Sequence, residues 1–241
     1  MIIEVRRLTK RFGAVTAVDD ITFGVAPGEV FALLGPNGSG KTTTMKCLVG
    51  LTVPTSGSIA VNGVDALAAP DAARRWISYL PQRVVFPESL TAREVLRFHA
   101  RLRGLPRGIE DTALEQAKFN GAAGRPVATF SGGMIQRLGL AVAALPSAPV
   151  LLLDEPTASL DPEGVVRFRA FVREQKDRGT TVIFSTHLLS EVEHLADRVA
   201  VFVGGKIVVC TGIDEIRRTF TATGTIEDMY LHYVGAAHEL Q

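Results

Sequence analysis

Cysteine, charge of one sign and long apolar runs are all scarce in this chain of 241 residues. Two cysteines, Cys47 and Cys210, are too few for a disulfide framework and have no partner at metal-ligand spacing, so reduced, buried thiols of a cytosolic protein are expected. The 26 basic and 25 acidic residues nearly cancel, which argues against a strongly basic nucleic-acid binder, and no nucleic-acid partner is expected. The longest apolar stretch, residues 138–153, is broken by Pro146 and Pro149 and falls short of the ~20 residues that span a bilayer. The opening MIIEVRRLTK mixes an acid with several basic residues and so lacks the apolar core of a secretory signal; no export is expected. No internal repeat or low-complexity tract is present. With 46% hydrophobic and 21% charged residues the chain has the composition of a folded enzyme, not a disordered segment.

Short apolar runs recur at residues 2–5, 30–34, 59–61, 77–80, 150–153, 182–184, 199–203 and 207–209, and each is a candidate strand. VLLLD and TVIFST are apolar nearly throughout, which suits strands of a parallel sheet buried on both faces. Residues 162–178 form an amphipathic helix pattern, with Val165, Phe168, Phe171 and Val172 on one side and Arg167, Arg169, Arg173 and Glu174 elsewhere. Thr91 and Glu94 stand at capping-box spacing, so a helix should begin near Thr91. From there to about Leu145 no strand signal occurs. The expected architecture is a mainly parallel α/β core interrupted by a helical insertion, with a hairpin around Gly204 and Gly205 and a helical tail.

The strongest chemical signal is the run Gly35, Pro36, Asn37, Gly38, Ser39, Gly40, Lys41, Thr42, which matches GxxxxGK[ST] in full. Its glycines let the backbone curl so that successive N–H groups point into one concavity, and the helix that follows adds its positive end. Polyphosphate suits such a nest, with Lys41 reaching the β- and γ-phosphates and the Thr42 hydroxyl a Mg²⁺ ion. That motif alone leaves kinases, GTPases, motors and transport ATPases open. Asp154 and Glu155 close an apolar strand and so stand at the sheet's C-terminal edge, where ligands of α/β folds bind. Asp154 there can hold Mg²⁺, and Glu155 can take a proton from an attacking water. The pair favours hydrolysis over binding alone.

The run Phe130, Ser131, Gly132, Gly133, Met134, Ile135, Gln136, Arg137 resembles the signature motif of ABC ATPases. The likeness spans nearly the whole chain in the family's order: Phe12 in the adenine-stacking position, the phosphate loop with Thr43 beside it, Gln82, the signature, Asp154 and Glu155, Asp161 after Ser159 and Leu160, and His187 after Ser185 and Thr186. It implies a phosphate-loop NTPase core with a mainly parallel sheet, an N-terminal antiparallel β subdomain and an inserted α-helical subdomain. Residues 1–85 and 146–220 would form the ATP-binding core, 86–145 the helical subdomain and 221–241 a helical tail, all within one domain.

By the same resemblance ATP is held between two copies, the phosphate loop of one facing Ser131, Gly132, Gly133 and Met134 of the other. Gln82 senses Mg²⁺ and the attacking water, His187 bonds the γ-phosphate, and Asp161 couples the two sites. The resemblance implies a homodimer or heterodimer of ATPase subunits, seated at the inner face of the cell membrane against an integral membrane permease. Phe130 stands where Leu is commonest and Met134 where Gln is, and Met lacks the amide's hydrogen bonds. SGGM, and the tail from Thr225 to Leu231, resemble ATPases that serve multidrug and natural-product exporters with separate membrane subunits. Residues 86–91 and 98–102 also resemble ATPases of copper-processing systems that mature nitrous oxide reductase. A non-transport ABC switch in an assembly system is the alternative from another class; the coiled coil of the DNA-repair type is missing.

Overall fold

The computed structural model describes residues 1–119 and 121–219, with Glu227, Tyr230, Leu231 and Tyr233. Apart from those four, the expected helical tail lies outside the described residues. The strands in chain order are β1 (Ile3–Phe12), β2 (Val15–Val25), β3 (Val30–Leu34), β4 (Ser56–Val61), β5 (Val64–Asp65), β6 (Ile77–Leu80), β7 (Val150–Leu153), β8 (Thr181–Thr186), β9 (Arg198–Val203) and β10 (Lys206–Gly212). The helices are α1 (Lys41–Leu48), α2 (Pro70–Arg74), α3 (Ala92–Leu102), α4 (Ile109–Gln116), α5 (Gly132–Ala144), α6 (Pro162–Asp177), α7 (Leu189–Leu195) and α8 (Ile213–Thr219).

β3, β7 and β8 are buried at every position, as their continuous apolar sequences require, and lie inside a six-stranded sheet of order β10-β9-β3-β8-β7-β6. All its pairings are parallel except β10 on β9. That exception is the expected hairpin, in which Gly204 and Gly205 both take positive φ (53° and 84°), the requirement of a turn that matches strand twist. The second sheet, β2-β1-β4-β5, is antiparallel throughout. Sequence periodicity missed β2, whose run VTAVDDITFGV is interrupted by Asp19, Asp20 and Gly24.

Strand alternation splits the interior in two. Phe31, Leu33, Leu152 and Ile183 face a core shared with the antiparallel sheet and α1. Their neighbours Ala32, Leu34, Leu153 and Phe184 face a core shared with α6 and α7. Cys47 lies buried in the first, its thiol pKa pushed up to about 11 by burial, and Cys210 is half-buried; both are free thiols.

The helices α3, α4 and α5 gather around a third core that includes Leu96, Phe119 and Leu138. α3 opens with the expected reciprocal cap: Thr91 Oγ1 accepts from the Glu94 N–H at 3.3 Å, and the Thr91 N–H donates to Glu94 Oε2 at 2.8 Å. Phe130, a departure from the commoner Leu, stacks on Phe119 with ring centroids 5.7 Å apart. Gly139 seats α5 on the main sheet: a Cβ there would stand 2.8 Å from Leu80 Cδ1 and 3.0 Å from the Val84 methyls.

Candidate functional site

β3 delivers the chain to the sheet's C-terminal edge, and residues 35–40 turn it into α1. Gly40 has φ of 105°, and a Cβ on it would stand 2.6 Å from the Ala17 carbonyl oxygen, so glycine is required there. The loop is pinned by the Gly35 N–H to Thr186 O (3.3 Å), the Ser39 N–H to Pro36 O (3.3 Å) and the Gly205 N–H to Ser39 O (3.2 Å). Gly40 carries no side chain to cap α1, so the helix's first N–H groups face outward as donors. The Ser39 hydroxyl is buried without a hydrogen-bond partner. An uncapped helix start beside an unsatisfied buried hydroxyl fits an anion rich in acceptor oxygens.

Across β8 from this loop, Asp154 and Glu155 directly follow the end of β7. Asp154 is fully buried and collects three hydroxyls: Ser185 Oγ at 2.6 Å and Thr42 Oγ1 at 3.0 Å on Oδ1, and the Tyr79 OH at 3.4 Å on Oδ2. Burial first, and the Asp154 charge second, raise the Tyr79 pKa, so its phenol stays a donor. Glu155 is 4% exposed and has φ of 46°, a strained left-handed backbone for a non-glycine. Its N–H donates to Ser185 Oγ at 2.9 Å, so this one hydroxyl positions both acids.

The Glu155 carboxylate is shared. His187 Nδ1 lies 3.0 Å from Oε2, and Lys41 Nζ lies 3.4 Å from Oε1, an ion pair longer than a good hydrogen bond. The Lys41 ammonium also donates to the carbonyls of Gly35 (2.7 Å) and Pro36 (3.0 Å). Burial pushes its pKa down, against the upward pull of Glu155 and then Asp154. Lys41, Thr42, Asp154, Glu155, Ser185 and His187 thus form one connected cluster, largely buried, in which charges interact more strongly than at the open surface.

Other sequence-named residues stand apart. Phe12 is 52% exposed at the end of β1, with Lys10 Nζ 4.7 Å from its ring centroid, so it is no core aromatic. Pro36, Asn37 and Gly38 are exposed at the loop's rim, and Thr43 is half-buried in α1. Gln82 is exposed in the loop after β6, with no hydrogen bond to Asp154 or Glu155. Ser131 caps α5 by accepting from the Met134 N–H at 3.3 Å, and Asp161 caps α6 by accepting from the Gly164 N–H at 2.7 Å. Ser131, Gly132 and Asp161 are exposed, and Met134 is half-buried against the helical core. None of the four touches the Lys41–Glu155 cluster. The roles of Ser185 and Tyr79 escaped sequence reading: Ser185 is named there only as a neighbour of His187 and Tyr79 not at all, and the parallel pairing of β6, β7 and β8 brings both to Asp154.

A phosphate loop between a buried strand and a helix, facing a strand that ends in Asp-Glu, defines a phosphate-loop nucleotide hydrolase. The family model for the ABC transporter matches residues 18–158, and the chain belongs to the ABC transporter family as an ATP-binding, ATP-hydrolysing subunit. It is 42% identical over 209 residues to "Uncharacterized ABC transporter ATP-binding protein YxlF" of Bacillus subtilis (strain 168), covering 85% of this chain and 69% of that one. It is 35% identical to "Lantibiotic transport ATP-binding protein SrtF" of Streptococcus pyogenes, covering 86% and 89%. Among solved structures, "Structure of ATP binding subunit of ABC transporter" superposes with a TM-score of 0.87 at 32% identity, covering 97% of this chain and 99% of that one. The ATP-binding cassette MJ0796, solved as a dimer bound to ADP and Pi, shares the fold at 22% identity (TM-score 0.78, covering 88% and 98%).

Proposed function

We propose that two ATPase subunits, this chain paired with a second copy or a close relative, close around ATP and that hydrolysis reopens them, driving a separate membrane permease that exports its cargo. One observation carries this reading. The cluster of buried Lys41, Asp154 and Glu155 with the exposed His187 is assembled within one chain, while Ser131 and Gly132 present an exposed helix start that no residue of the same cluster meets. A helix N-terminus facing outward suits the γ-phosphate of a nucleotide held by another copy.

In hydrolysis Glu155 accepts a proton as the water oxygen bonds to the γ-phosphorus and the bond to the ADP oxygen breaks. Lys41 and the loop N–H groups, with Ser39, Gly40 and Thr43, hold the phosphates, and His187 steadies both Glu155 and the transferred group. Thr42 and Asp154, with Gln82 from its loop, would hold Mg²⁺, which supplies charge neutralisation between the β- and γ-phosphates. The observed Thr42–Asp154 bond at 3.0 Å brings two hard oxygen donors together as such an ion needs. Phe12 offers its open ring to the purine. Asp161, capping α6 beside the signature, faces the second copy.

Export is supported by what relatives are named for: lantibiotic transport, bacitracin transport, "Nod factor export ATP-binding protein I" of Burkholderia pseudomallei, and a probable multidrug transporter. Among the described residues no helix is long and apolar enough to cross a membrane, and the proposal assigns the path to a separate permease. Val85 (70% exposed), Phe98 (54%) and Leu102 (68%) offer apolar contact on the helical side, near the Gln82 loop. These exposed apolar side chains support the reading of a peripheral subunit at the cytoplasmic face of the membrane. Phe98→Asp with Leu102→Asp should leave the isolated ATPase within about twofold, since both side chains are exposed. The same variant should no longer co-purify with a multispanning membrane protein that the parent chain captures. Undiminished co-purification, or a parent chain that never associates with such a protein, would contradict the transport reading.

A further inference from the structure

A cleft of about 860 Å³ opens between α4, α5 and α6, with Leu140, Ala144, Phe168 and Phe171 among its walls. It leaves α5, the helix begun by Ser131, separated from α6 along much of its length. Among the described residues one hydrogen bond joins α5 to the segment that follows the catalytic strand: Gln136 Nε2 donates to the Pro156 carbonyl at 3.0 Å. Gln136 is 4% exposed, and Pro156 is buried. Pro156 directly follows Glu155, whose left-handed φ of 46° needs its surroundings to hold it. On one side of that strained residue the Ser185 hydroxyl takes the Glu155 N–H; on the other the Gln136 amide takes the next carbonyl. The signature turn leans on the same segment, since a Cβ on Gly133 would lie 3.7 Å from Ser159 O and one on Gly132 would lie 3.9 Å from Ser159 Cβ.

We infer that Gln136 is a positioning residue that couples the two nucleotides. Under the two-copy reading proposed above, Ser131 answers to the second copy's nucleotide and Glu155 to this chain's own. Gln136 lies within two turns of Ser131 and bonds the residue after Glu155. A small movement of α5 on engaging the far nucleotide is therefore passed to the general base through a single amide. Without that donor the buried Pro156 carbonyl is left unsatisfied and the turn after Glu155 loses its tether to the helix.

Gln136→Met keeps length and burial and removes the donor. Steady-state hydrolysis against Mg-ATP concentration, nucleotide affinity of the isolated chain by fluorescence titration, and the melting temperature are measured together. The inference expects nucleotide affinity within about twofold of the parent, turnover at saturation lowered at least tenfold, and a Hill coefficient dropping toward one. Gln136→Asn, whose amide falls one methylene short of Pro156, carries the same test where the Met variant does not fold. A folded variant with the parent's turnover and Hill coefficient overturns the inference. So does a parallel fall of turnover, nucleotide affinity and melting temperature, which marks a structural bond alone. If those negative results come while Glu155→Gln still forms an ATP-bound dimer, the two-copy reading stands and only the role of Gln136 falls; a failure of that dimer removes both.

Discussion

The phosphate-loop half of the site and the signature half are built on opposite plans. Lys41, Asp154 and Glu155 are almost wholly buried, and every one of their ionic groups meets a named partner in the same chain. Ser131 and Asp161 are exposed, and each accepts only the local bond that caps its own helix. Buried charges are costly unless they are paired, so the first half has to be preorganised within one fold. Exposed caps cost nothing to leave open. A surface so arranged is finished by something that comes from outside, and the difference between the halves is itself the argument for a second copy.

Phe12 sharpens the comparison because it belongs to the preorganised half yet is exposed. Phe12→Ala should weaken ATP binding about 10–100-fold, matching the ~1–3 kcal/mol of a base stacked on an aromatic ring, and should not change the ranking of ATP over ADP. Equilibrium titration of both nucleotides checks this, and an unchanged affinity removes Phe12 from the site. Met134 probes the other half with a smaller change. It is half-buried against the helical core, while Ser131 and the glycine N–H groups face outward, so Met134→Gln should leave turnover within about tenfold of the parent. A larger loss would mean that packing of the helical core, more than backbone donors, sets the signature's geometry.

The buried half was also the more legible in sequence. β3 and β7 begin and end where their apolar runs do, because strands covered on both faces leave no polar residue inside the run. Glycines at 35, 38 and 40 with Lys41 announce backbone chemistry that few other purposes require. β2 was illegible for the opposite reason: Asp19 and Asp20 sit at a register shift against β1, where Asp20 takes φ of 50° and the alternation of buried and exposed residues breaks. The bonds of Ser185, Tyr79 and Gln136 were illegible because they reach across 31, 75 and 20 residues of sequence; Ser185 and Gln136 stand inside recognised motifs, yet nothing local says what they hold. Phe130 looked like a blemish in a motif until its stacking on Phe119 gave it a place in the helical core.

The claim that two copies complete the site is tested most directly by light scattering of Glu155→Gln with and without Mg-ATP, alone and combined with Ser131→Arg. The amide keeps the carboxylate's shape but cannot take the proton from water, and loss of a general base typically slows turnover ~10²–10⁴-fold while ground-state contacts remain. Glu155→Gln is expected to scatter as a monomer without nucleotide and as a dimer with Mg-ATP. With Ser131→Arg added it should bind ATP as before and stay monomeric, because the arginine fills the space that the other copy's γ-phosphate would occupy. Where isolated subunits associate too weakly, the complex with its membrane partner is the setting for the same pair of variants. Turnover of Glu155→Gln at the parent's rate, or closure of the double variant as ready as that of the single one, would contradict the account.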